Sequence, residues 1–103
     1  MNKFIKEYTD KAAEIISKFP EIEKAVVIGN AVHDDFAVDF DDNICIALFT
    51  KPNTKVSKLC NDLNYILFDN NLSSIDLYPM ADEDFYVAAA SLIPDGEVIF
   101  ERK

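Results

Sequence analysis

Asp41, Asn43 and Asp76 are the residues of this chain whose types and spacing could do chemistry. Asp41 and Asn43 stand two apart at the head of an apolar run, so on an extended strand they face the same side. Asp76 lies in the middle of a later apolar run, Ser73 to Tyr78. If those two strands are neighbours, the three side chains converge and offer oxygen atoms to one hard cation. Mg²⁺ takes such ligands, usually one or two carboxylates completed by substrate phosphates. The bland alternative is that Asp41 and Asp42 form a solvated approach to a strand, and that Asp76 faces water from an edge strand.

Gly29-Asn30 is the second feature, directly after the apolar run Ala25 to Ile28. Glycine lets a phosphate approach the backbone, and a helix starting there would present free N–H groups. A plain tight turn explains the same residues. Between the two apolar runs lie Asp34, Asp35, Asp39, Asp41 and Asp42, and no lysine or arginine falls between Lys24 and Lys51. Carboxylates crowded before a buried strand need a cation, a partner or free water.

The elements that must position these residues follow from periodicity. Phe4, Ile5, Tyr8, Ala12, Ile15, Ile16 and Phe19 recur at helical spacing, which predicts a helix over Lys3 to Phe19, ended by Pro20. Ala25 to Ile28 and Asn43 to Phe49 are short, β-branched and bounded by breakers, which predicts strands. Residues 30 to 36 fit a short helix or an irregular loop. Val56, Leu59, Cys60, Leu63, Ile66 and Leu67 predict a helix to about Asp69, with Thr54 or Asn53 as N-cap and Asn70-Asn71 as the stop. Ser73 to Tyr78 is a third strand, ended by Pro79. Asp82, Glu83 and Asp84 suit the first turn of a helix running to about Leu92 or Ile93. Glu97 to Glu101 is a last strand after the Pro94-Asp95-Gly96 turn.

Composition sets the outer bounds. The 103 residues are 50% hydrophobic with only 2 glycines, which predicts one folded domain over 1–103 and argues against disorder. The formal charge of −9 and a single arginine, Arg102, argue against nucleic acid as a partner. They suit metal ions, a small ligand neutralised by metal, or a basic protein. No apolar run nears the ~20 residues of a membrane span. The charged start MNKFIKEYTDK does not read as a signal peptide, so the expectation is a cytoplasmic protein. Cys45 and Cys60 lie in apolar settings and read as reduced, packed thiols. His33, the only histidine, has no nucleophile set around it.

The pattern resembles a minimal nucleotidyltransferase domain of the DNA polymerase β superfamily. That family shows a helix, a strand, a Gly-Ser pair, about ten loop residues, then Asp-x-Asp leading into an apolar strand, with a third Asp on a later strand. Here Gly29-Asn30 is followed by Ala31 to Phe40, then Asp41-Asp42-Asn43 runs into Ile44-Cys45-Ile46, and Asp76 matches the third acid. The tail Ser91 to Glu101 is similar to the family's closing segment, and the likeness covers nearly the whole chain. Asn30 stands where the family has serine, Asn43 where it has the second aspartate, and His33-Asp34 where it commonly has Arg-Gly. The alternative register Asp39-Phe40-Asp41 restores an Asp-x-Asp pair and shortens the loop.

The resemblance implies an α/β (α+β) single domain with a mixed sheet and a nucleotidyltransferase-like core. It implies Mg²⁺ held by Asp41, position 43 and Asp76, a nucleoside triphosphate at Gly29-Asn30, and Asp76 as metal ligand or general base. The departures imply that nucleotidyl transfer is weak or lost. At ~5 Å and an effective dielectric of ~20, a carboxylate such as Asp34 or Asp35 repels a phosphate charge by roughly 3 kcal/mol before screening. The alternative function is a non-catalytic acidic interaction module, such as an antitoxin-like partner of a small helical protein. A third reading is a homo-oligomeric α/β protein whose acids only solubilise it.

Overall fold

A computed structural model of the chain describes residues 1–34 and 43–102. Asp35, Asp39, Asp41 and Asp42 therefore lie outside the described residues. The chain runs α1 (Lys3–Ile16), β1 (Ile22–Ile28), a 3₁₀ turn (Gly29–Val32), β2 (Ile44–Thr50), α2 (Val56–Asp69) and β3 (Ile75–Pro79). It continues through α3 (Glu83–Ala89), a 3₁₀ segment (Ala90–Asp95) and β4 (Glu97–Glu101). The strands form one sheet in the order β3-β2-β1-β4. β1 is antiparallel to β2 and β4, while β2 and β3 are parallel. This is an α+β fold with the expected mixed sheet.

The central strands are buried on both faces, which is why their sequences read as continuous apolar runs. On one face Val27, Ile44, Ile46 and Leu48 pack with Ile5 and Ile16 of α1 and Leu59, Leu63 and Leu67 of α2. On the other, Val26, Ile28 and Ala47 pack with Met80 and Ala89, joined by Cys45, Phe49, Tyr78 and Ile93. Among the described residues no helix is long and apolar enough to cross a membrane.

The element ends differ from expectation for local reasons. α1 stops at Ile16, not Phe19: the Lys18 and Phe19 N–H groups bond to Ile15 and Ile16 in tight turns before Pro20. β1 starts at Ile22, three residues early, because Lys24 pairs across the sheet with Phe49 and Glu101 and its amine reaches the Glu101 carboxylate at 3.8 Å. Neither Thr54 nor Asn53 caps α2. The Thr54 hydroxyl donates to Lys51 O at 2.7 Å instead, and Asn53 supplies the left-handed turn residue at φ 67.

The C-terminal stop of α2 is as read. Asn71 is left-handed at φ 62, the Leu72 N–H reaches Leu67 O, and the Asn71 N–H reaches Phe68 O. These two bonds satisfy carbonyls the helix leaves open, and buried Leu72 seals the end. α3 ends at Ala89 and tightens to 3₁₀ because Pro94 lacks an N–H and disfavours helix at Ile93. β3 ends at Pro79, as read, and as an edge strand it tolerates the proline because one side of its backbone is unpaired.

Candidate functional site

The site is built at one end of the sheet. β1 arrives there at Ile28, opposite Cys45, and Cys45 in turn stands opposite Asp76 in the parallel pairing. The start of β2 is fixed by the Ile44 N–H donating to Ser74 O at 2.7 Å. Ser74 is held from the helix side, its N–H donating to the Tyr8 hydroxyl at 2.9 Å. Period two along each strand then puts Asn43 and Cys45 on one face, and Asp76 and Tyr78 beside them.

Asn43 and Asp76 meet: the Asn43 Nδ2 donates to the Asp76 Oδ2 at 3.1 Å. Both residues are exposed, so the pair is open to a ligand from solvent. β3 is an edge strand and Asp76 is exposed on it, as the bland alternative has it. Asp41, the third member of the expected set, lies outside the described residues, and so does the Asp39-Asp41 register. Among the described residues no group of three His, Cys, Asp or Glu side chains gathers as a metal cage.

Gly29 follows Ile28 directly, so it stands at the same sheet end as Asn43. Its φ of +79 is a conformation that side-chain-bearing residues resist, and a Cβ built there meets nothing within 4 Å among the described residues. The turn thus favours glycine, and none of the described residues fills the space above it. Asn30 lies exposed in the 3₁₀ turn whose last bond runs from the His33 N–H to Asn30 O at 3.1 Å.

Two neighbours of Asp76 read from sequence as plain packing residues. Burial pushes the Cys45 thiol above its ordinary 9.0; a hydrogen bond with Tyr78 works against this and the Asp76 charge adds to it. The charge of Cys45 holds the Tyr78 hydroxyl above 10.0, with burial, their hydrogen bond and Asp76 contributing in that order. Both groups are therefore neutral near pH 7, and Cys45 is not a nucleophile there. Period two from Asn43 and from Asp76 was the signal that could have found them. Phe85 closes the flank, edge-on to Tyr78 with ring centres 5.5 Å apart.

The sole arginine is committed elsewhere. Arg102 donates from Nε to Ile22 O and from Nη2 to Ser17 O and Phe19 O, each at 3.2 Å, and lies over the Phe100 ring at 5.1 Å. It ties the end of α1 to the start of β1, at the opposite end of β1 from Gly29.

No family model matches this chain, and no curated protein matches it either.

Proposed function

We propose that this chain is a nucleotidyltransferase-like domain that binds a nucleoside triphosphate with Mg²⁺ at the Gly29, Asn30, Asn43 and Asp76 end of the sheet, with nucleotidyl transfer weak or lost. The observation that carries the reading is the Asn43–Asp76 contact, which joins two residues from distant strands at 3.1 Å. Asp76 supplies a carboxylate, and the Asn43 amide can turn about its last bond to present oxygen in place of nitrogen. Two such oxygens suit Mg²⁺, which completes its shell with water and phosphate. When bound, the metal supplies the charge neutralisation that lets phosphates approach carboxylates. Asp41 is assigned to the same role on the resemblance alone.

The residues themselves explain why transfer would be weak. Asn43 contributes no negative charge, so the cation is held less firmly than by paired carboxylates. The open space above Gly29 can admit a phosphate oxygen, but Arg102 is spent on backbone carbonyls and cannot clamp it. Phosphate neutralisation therefore rests on the metal.

Thermal unfolding with and without Mg²⁺ and ATP tests this. Ligand at about ten times its dissociation constant stabilises by roughly 1.4 kcal/mol, worth about 5–10 °C in a domain of this size. The wild-type chain should show this shift and Asp76→Ala should not. No shift in the wild type, or equal shifts in both, would sink the reading.

A further inference from the structure

The sheet face turned away from α1 and α2 is thinly covered. α3 has 7 residues and the 3₁₀ segment 6. Between them they leave Phe85, Tyr86, Val87 and Leu92 exposed, Val87 at 74% and Tyr86 at 52%. Exposed Val98 belongs to the same layer, because it pairs with Val26, and Val26 packs with Met80, Ala89 and Ile93. Single exposed apolar residues are ordinary, but several on one thin layer mark a contact surface.

The charge around this layer is mainly negative. No lysine or arginine occurs between Lys58 and Arg102. Asp82, Glu83 and Asp84 front α3, and Asp95 ends the 3₁₀ segment. Part of that charge suits the dipole of α3. The exception is Lys24, which pairs with Phe49 at the edge of the layer and is engaged by Glu101 at 3.8 Å.

A hollow of about 310 Å³ opens beside Tyr86, lined by Glu23, Phe49, Thr50, Met80 and Ala81. The Thr50 Oγ1 is buried and has no hydrogen-bond partner among the described residues. A buried hydroxyl left unpaired costs free energy. The hollow lies at the Thr50 end of β2, roughly 20 Å along the strand from the Asn43–Asp76 end.

We propose that this layer docks a positively charged amphipathic segment of another protein, seating one lysine or arginine side chain in the hollow. Its stem lies on Phe49, Met80 and Tyr86, and its head meets Glu23. Long cationic side chains bury their stems on apolar surface in this way. The Lys24 amine already sits 5.8 Å from the centre of the Phe49 ring, so the ring accepts a cation. A second copy of this chain is the wrong occupant, because it would bring its own −9 charge against a face of the same sign. The inference does not depend on nucleotide binding at the other end of β2.

The probe is a synthetic amphipathic peptide with leucines on one face and lysines and arginines on the other. Its control carries glutamates in place of the basic residues. In NMR titrations of the full chain, the basic peptide should shift the Thr50, Tyr86, Val87, Leu92 and Val98 amides on one saturating curve, weakening with salt. The control should shift none. Tyr86→Ala or Val87→Asp should weaken binding about tenfold or more; Val87 is exposed, so its variant leaves the fold intact. Shifts scattered over distant acids such as Asp10 and Asp62, and unchanged by Val87→Asp, would overturn the proposal in favour of unspecific charge attraction. Self-association of the chain that Val87→Asp abolishes would overturn it too.

Discussion

Asn43 and Asp76 are 33 residues apart in the chain, yet the amide of one donates to the carboxylate of the other at 3.1 Å across the parallel β2–β3 pair. The relationship has two sides. A neutral amide beside Asp76 keeps this end of the sheet stable with no cation present. The same amide removes one negative ligand from any cation that binds. Stability without metal and strong metal binding therefore pull residue 43 in opposite directions.

Asn43→Asp tests that opposition. Without metal the variant should be less stable by about 1–3 kcal/mol, from a lost hydrogen bond and two carboxylates brought face to face. Added Mg²⁺ should restore most of the loss in the variant and change the wild type far less. Urea unfolding in EDTA and in millimolar Mg²⁺ reads this directly; a variant indifferent to Mg²⁺ would contradict it.

Arg102 should behave as a structural tie. Arg102→Ala removes the charged donor to Ser17 O, Phe19 O and Ile22 O and should cost about 1–3 kcal/mol. Arg102→Lys keeps the charge but not the planar fork, so it should recover less than half of that. Nucleotide affinity, measured by calorimetry on the folded variants, should not change.

The two glycines should respond to alanine for different reasons. At Gly96 a Cβ would stand 2.6 Å from Val26 Cγ1 and 2.7 Å from Val27 O, so Gly96→Ala must push β4 off β1. The expected loss is about 1–3 kcal/mol. Gly29→Ala meets no neighbour among the described residues, and its cost is that of the positive φ, about 1–2 kcal/mol. Its methyl group would fill the space above the turn, so nucleotide affinity should fall at Gly29 and not at Gly96.

Alkaline pH should weaken the fold. Burial raises both thiols above 9.0, and the Cys45 charge foremost raises Tyr78 above 10.0. Groups raised on folding hold protons that the unfolded chain releases earlier, so stability falls as pH rises. The contribution is intact below pH 9.0, the ordinary thiol value, and is lost as pH climbs through the raised values. Unfolding midpoints in urea at pH 7, 9 and 10.5 should decline in that order, with a shallower decline in Cys45→Ala.

Much of the fold was legible because local rules and tertiary packing agree. Ile44 to Leu48 reads as a strand since both faces are buried, and Asn70-Asn71 ends α2 since asparagine accepts the left-handed cap. The ends were less legible wherever a distant group decides them. Lys24 joins β1 through Glu101, and the Thr54 hydroxyl is drawn into the Lys51 turn, away from the helix N-terminus. At the site, period two placed Asn43 on one face, but nothing local said that β3 would lie beside β2. The role of Arg102 left no local trace either, because its acceptors lie eighty or more residues away, at separations of 80, 83 and 85.

The side-chain NH₂ of Asn43 is the most direct reporter of the central claim, because it must leave Asp76 Oδ2 when its oxygen turns to a cation. In an NMR titration with Mg²⁺ and ATP, its two signals should move together with the Gly29 and Asp76 amides, on one saturating curve in the millimolar range. Asn43 signals that stay in place at saturating ligand, or that move while Gly29 and Asp76 do not, would contradict the account.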